Sequence, residues 1–200
     1  MPRISRRAPL LVGAVLAVLV AVPVAADTTG GPINVDYAYG SSADGNSTVQ
    51  VSHDYLAGEY HMSASTQSTQ AITCDDGVTT GELDVSIFGD GTPSSFHFDK
   101  KLASASASGT IAARTETLNT CTWEESEGSA TMTVSMSFVG SKYVSTTSIR
   151  TVSKNPDGTT TTYDGKYMTA VATGTFSIDG VKTTASDARI EHDEMTVKTK

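Results

Sequence analysis

Asp99-Lys-Lys-Leu-Ala-Ser-Ala-Ser-Ala-Ser-Gly-Thr-Ile111 returns, altered, as Asp164-Gly-Lys-Tyr-Met-Thr-Ala-Val-Ala-Thr-Gly-Thr-Phe176. The two stretches agree at Asp99/Asp164, Lys101/Lys166, Ala105/Ala170, Ala107/Ala172, Gly109/Gly174 and Thr110/Thr175, and Ser108 answers to Thr173. Successive side chains of a strand point to opposite faces, and both copies alternate with that period. Ala103, Ala105, Ala107, Gly109 and Ile111 fall on one face, with Met168, Ala170, Ala172, Gly174 and Phe176 as counterparts. Hydroxyl residues dominate the other. The copies are therefore expected to be equivalent strands, turning alanine and glycine inward where another layer approaches closely.

Working outward, the same period recurs. Ala130, Met132, Val134, Met136 and Phe138 alternate with Thr131, Thr133, Ser135 and Ser137, and Gly140-Ser141 is read as the end of that strand. Ile33 to Tyr39, Thr48 to His53, and Glu59 to Thr66 with Tyr60, Met62 and Ala64 on one face also read as strands. So do the stretches around Leu83, Val85 and Ile87, around Phe96 and Phe98, from Tyr143 to Val152, from Thr159 to Tyr163, and a last one within 185–197. The polar, glycine-containing stretch Glu124 to Ser129 is read as a loop. Asp-Gly occurs at Asp44, Asp76, Asp90, Asp157, Asp164 and Asp179. It suits tight hairpins, whose central residues need positive φ.

Outside the N-terminus no segment carries a helical apolar period. The expected fold is all-β, a single antiparallel β-sandwich or closed β-barrel of about ten strands with an internal strand repeat. An immunoglobulin arrangement is disfavoured, because Trp123 follows the second cysteine instead of lying between the two.

At the N-terminus Arg3, Arg6 and Arg7 precede an apolar run from Leu10 to Val22, and Val24-Ala25-Ala26 places small residues before Asp27. That order is a secretory signal peptide over residues 1–26, cut between Ala26 and Asp27, with one all-β domain over 27–200. The general secretory route is expected, since Pro9 stands where a twin-arginine signal carries a bulky apolar residue. No later segment is apolar enough to span a bilayer as a helix, so no membrane insertion is expected after cleavage. Cleavage removes three arginines and no acid, taking the net charge from −8 to −11. Such a field repels phosphate backbones and argues against nucleic acid as a partner. Cys74 and Cys121 are an even pair in an exported chain, so a disulfide between them is expected.

The residues that carry chemistry form no recognised constellation. His53, His61, His97 and His192 lack the close pairing of a zinc motif, although Glu59 with His61, and His192 with Glu194, share strand faces. The acid groups Glu124/Glu125/Glu127 and Glu191/Asp193/Glu194 are local, whereas a glycosidase needs carboxylates facing across a cleft. Asp75-Asp76-Gly77 and Gly89-Asp90-Gly91 lack the ligand spacing of a calcium loop. A nucleophile elbow and a glycine-rich phosphate loop are both missing. Tyr37, Tyr39, Tyr143 and Tyr163 are read chiefly as core or boundary residues, and the serine/threonine runs as solvated strand faces. No catalytic residue, metal or cofactor is assigned. The expectation is a secreted, non-catalytic binding or structural module for an extracellular protein or polysaccharide, with a secreted carbohydrate-active hydrolase as the alternative. Loops at the ends of such scaffolds carry recognition, which singles out those at Asp76, Trp123 and Asn155.

Overall fold

In the computed structural model, which describes residues 33–199, the chain runs through ten strands. They are β1 (Ile33–Ser41), β2 (Ser47–Asp54), β3 (Glu59–Thr73), β4 (Thr80–Gly91), β5 (Ser95–Phe98), β6 (Ser104–Asn119), β7 (Glu124–Lys154), β8 (Thr160–Ile178), β9 (Val181–Thr184) and β10 (Asp187–Thr199). The expected leader and the cleavage point expected between Ala26 and Asp27 lie outside the described residues. All pairings are antiparallel, in the order β1-β2-β3-β4-β6-β7-β8-β10, and β10 pairs back onto β1. The sheet thus closes into a ring, with β5 and β9 as short additions on β6 and β8.

The ring is strongly staggered. β7 pairs with β6 along Glu124 to Val139 and with β8 along Val134 to Lys154, so only its middle has neighbours on both sides. Two plates consequently project at opposite ends. One, called the tip below, consists of the end of β3, the starts of β4 and β7 and the end of β6. The other, the ribbon, joins the end of β7 to the start of β8 and the end of β10.

The two copies of the repeat lie on either side of one strand but not in equivalent places, because Gly109 stands opposite Val134 of β7 and Gly174 opposite Phe138. β6 and β8 flank β7 on either side and run in the same direction, and Ala105, Ala107, Ile111, Ala170, Ala172 and Phe176 are buried. Small residues are needed because the interior is narrow. A Cβ on Gly174 would lie 2.1 Å from the Ser137 carbonyl oxygen, and one on Gly109 would lie 3.1 Å from Pro93 Cα. Phe138 fills the space left at Gly40 and Gly174, and Met62, Met132, Val134 and Ile190 complete the core. Apolar burial of this kind contributes about 25 cal/mol for each Å² removed from water.

Four other expectations need correction. Ala103 is exposed, and Leu102, at φ 61, turns into the core in its place. Glu124 to Ser129 is strand, because Asn119 to Arg114 of β6 pair with it residue by residue, although both faces are solvated and no apolar residue marks it. Gly140-Ser141 does not end the strand; the register shifts between Gly140 and Val144 and the same strand runs on. Finally, Gly45, Gly77, Gly158 and Gly180 have the positive φ of tight turns, whereas Asp90-Gly91 and Asp164-Gly165 lie within β4 and β8.

Candidate functional site

β1 faces the opposite way from a simple reading of its apolar residues. Asp36, Ala38 and Gly40 point into the ring, and Tyr37 and Tyr39 lie half-buried outside it. Phe138 already occupies the space over Gly40, leaving no room for a row of tyrosines within. Asp36 therefore becomes the most deeply buried charge among the described residues, at 0 % exposure, flanked across the sheet by His53 of β2 and His192 of β10. Its Oδ1 lies 2.6 Å from His192 Nδ1, and its Oδ2 accepts a 2.6 Å hydrogen bond from the Tyr55 hydroxyl. The other imidazole nitrogen, Nε2, faces Glu194 Oε1 at 3.3 Å. Burial, with the Asp36 hydrogen bond second, pushes the Tyr55 phenol up to about 12. His53 stacks on Tyr60 at 4.0 Å, with Phe96 edge-on at 5.9 Å. Both nitrogens of His192 are thus engaged by carboxylates of its own chain, and neither is left to serve a substrate as a base. The network joins β1, β2 and β10 where the ring closes.

Outside the ring a second group of acids meets the tyrosines. Glu191 and Asp193, on the outer face of β10, oppose Tyr37 and Val35 of β1 and Thr169 and Tyr167 of β8. Burial, with the neighbouring Glu191 second, raises Asp193 to about 6; burial also raises Glu191, and it pushes Tyr37 up to about 12. Beside them lies a shallow hollow of about 240 Å³ lined by Ile149, Tyr163, Gly165, Tyr167 and Met195, where Gly165 leaves space that the Tyr167 ring overlies. The raised carboxyl of Asp193 means that the folded chain binds protons more tightly than the unfolded one. Stability contributed there is present at low pH and is lost as pH rises from about 4 to about 6. Asp193→Asn should flatten this part of the pH–stability curve and, after allowance for solvent screening of a half-exposed group, stabilise the fold near pH 7 by about 1 kcal/mol. Urea denaturation at pH 4, 6 and 7.5 measures it; equal slopes in both proteins would contradict the assignment.

The tip brings together two of the three loops singled out by sequence. The disulfide between Cys74 and Cys121, with sulfurs 1.99 Å and Cα atoms 5.5 Å apart, ties the β3–β4 turn of Asp76 to the β6–β7 turn of Trp123. Asp76 caps its turn, its carboxylate receiving hydrogen bonds from the Thr79 hydroxyl and the Thr79 and Val78 backbone N–H groups, which hold its pKa low. Trp123 adopts φ 59, a left-handed conformation costly for a bulky residue, and is 75 % exposed. The Trp123 N–H donates to the Asn119 carbonyl at 2.7 Å, and the Asn119 side chain accepts from the Cys121 N–H, so the turn is held from within. Asn155 is placed apart from both, at the far end of the ribbon, where its amide donates to Thr159 and Thr161.

His61 meets Asp90 across β3 and β4 at 2.6 Å, but both side chains are half or more exposed. Among the described residues there is no group of three His, Cys, Asp or Glu side chains placed to hold a metal ion. The serine and threonine faces come into register across the sheet, as in the rows Ser106–Ser137–Thr175 and Ser108–Ser135–Ser177. Sequence reasoning missed Asp36 and Tyr55, and it set Asp193 aside as one of a local group of acids. The two inner histidines on its flanking strands were the available signal for Asp36, and they emerge only once the strand order is known. Comparison with protein-family models, curated proteins and solved structures finds no match.

Proposed function

We propose that this chain is an exported, non-catalytic binding module that meets an extracellular polysaccharide at its disulfide-tied tip. The observation that carries this reading is the placement of Trp123. A left-handed tryptophan costs on the order of 1 kcal/mol or more, and strain of this kind persists where the surrounding structure holds it and clusters at binding and active sites. Here the indole stands in solvent on a turn held by a disulfide and internal hydrogen bonds. An indole face suits the apolar C–H face of a sugar ring, and a preordered turn lowers the entropy lost on binding. The nearby carboxylates of Asp76, Glu124 and Glu125 can accept sugar hydroxyl hydrogens and repel phosphate-bearing polymers. The ligand is therefore a neutral or amino-bearing glycan.

The rest of the molecule supports an extracellular setting. A disulfide persists in oxidising compartments, and the leader read from residues 1–26 sends the chain there. Buried Met132, Val134, Met136 and Phe138 alternate with exposed hydroxyl residues, the reverse of a membrane barrel with an apolar exterior. The alternative, a carbohydrate-active hydrolase, draws support from the raised carboxyl groups of Glu191 and Asp193, although they lie on an open sheet face.

Trp123 is the only tryptophan, so intrinsic fluorescence reports directly on the tip. Titration with soluble glucans, mannans and chitin oligosaccharides should give a saturable shift in emission with at least one of them. Trp123→Ala should weaken pull-down by that glycan at least about tenfold, equivalent to about 1.4 kcal/mol. An emission spectrum unmoved by every glycan would overturn the proposal. Release of reducing ends by the wild type, lost in Asp193→Asn, would favour the hydrolase instead.

A further inference from the structure

The ring closes most edges of the sheet but leaves several stretches free among the described residues, the longest at the end of β7. From Val144 to Lys154, β7 pairs with β8 on one side, and no strand of the described residues pairs with it on the other. Every residue from Lys142 to Lys154 is exposed, including Ile149 at 51 %. An open strand edge presents unpaired N–H and C=O groups to solvent, and proteins ordinarily blunt it with charge, proline or a bulge. Of the other free edges, the start of β7 carries Glu124, Glu125 and Glu127, and the end of β3, Ser68 to Thr73, is uncharged but only about half as long. The edge at the end of β7 is rich in β-branched residues and, between Val144 and Ser153, bears only Arg150, which pairs with Asp164 of β8 at 3.6 Å.

We infer that this edge pairs with the same edge of a second copy of the chain, antiparallel and about a two-fold axis. The sequence specifies the register. Pairing that uses Val144 to Lys154 in full on both copies must be centred on Ile149, because that residue is the midpoint of the stretch. Ile149 then meets its equivalent, Arg150 faces Ser148, Lys154 faces Val144 and Thr147 faces Thr151, with no like charges opposed. Centring on Arg150 would oppose two guanidinium groups, and centring on Ser148 would set Lys142 against Lys154. The central isoleucine pair also extends the apolar surface that runs from Ile149 over Gly165 to Met195. A two-fold pairing consumes both edges and stops, giving a dimer rather than a filament. Strand pairing along one edge buries less than the about 1,600 Å² of a standard interface, so the dimer should dissociate on dilution.

The test uses the mature, disulfide-intact chain. Sedimentation equilibrium should show a concentration-dependent rise towards twice the monomer mass. Ile149→Lys, which places two ammonium groups at the axis on an exposed position, should remain monomeric while keeping the wild-type far-ultraviolet spectrum. Ile149→Cys, handled under mild oxidation, should give a covalent dimer on a non-reducing gel, and Thr110→Cys on the outer face of β6 should not. A wild type that stays monomeric at the highest soluble concentration would overturn the inference. So would a dimer that Ile149→Lys leaves unchanged, or equal cross-linking at the two cysteine positions.

Discussion

Asp36→Ala is expected to lower the free energy of unfolding by about 3–5 kcal/mol, a large share of what holds a domain of this size together. The carboxylate is wholly buried and satisfies both His192 Nδ1 and the Tyr55 hydroxyl. Removing it leaves the buried Nδ1 of His192 without its partner and frees the Tyr55 hydroxyl at the seam where β1 joins β10. Asp36→Asn keeps the size and can still accept from His192 while donating to the Tyr55 oxygen, so its cost should be well under half that of alanine. Chemical denaturation at pH 7 measures both. Equal losses would indicate that volume matters there and hydrogen bonding does not.

The second large effect is loss of the disulfide. Changing Cys74 and Cys121 together to serine should destabilise the chain by roughly 4 kcal/mol on the chain-entropy estimate, because the bond closes a loop with a sequence separation of 47. The structure adds a test of where the bond lies. A Cβ at Gly81 of β4 would come within 2.3 Å of Cys121 Sγ and 3.2 Å of Cys74 Sγ, so the bridge passes directly over that glycine. Gly81→Ala should therefore destabilise the oxidised chain and cost much less in the double-serine background. Additive effects would place the bridge elsewhere, since coupling is expected only between groups in contact. If the tip serves the glycan site proposed above, the double-serine chain should also lose the fluorescence response while its core remains folded in mild conditions.

Much of the architecture was legible in the residues alone. Strand content, antiparallel pairing and the disulfide pair follow from local chemistry: period-two alternation, turn residues and a cysteine pair in a chain whose N-terminus reads as an export signal. The shared inward face of β6 and β8 could be read from the repeat because close approach excludes a side chain at Gly109 and Gly174, whereas their offset along β7 could not. The limits appear where a residue's role depends on its neighbour across the sheet. Glu124 to Ser129 carries no apolar mark, and only its pairing with β6 makes it strand. Ile33 to Tyr39 alternates between two plausible faces, and Phe138, distant in sequence, settles which one turns inward.

The same division holds for function. Sequence pointed to Asp76 and Trp123 as loop residues, and the tertiary structure joined their turns at one tip while carrying Asn155 to the other end. Closure of the ring, which brings β10 beside β1, decided that Asp36 and His192 meet. The stagger of β7, longer than either neighbour's pairing with it, decided that an edge stays open at each of its ends. Period and turn chemistry act within a few residues and can be read along the chain, whereas ring closure and stagger arise from packing between segments far apart in it.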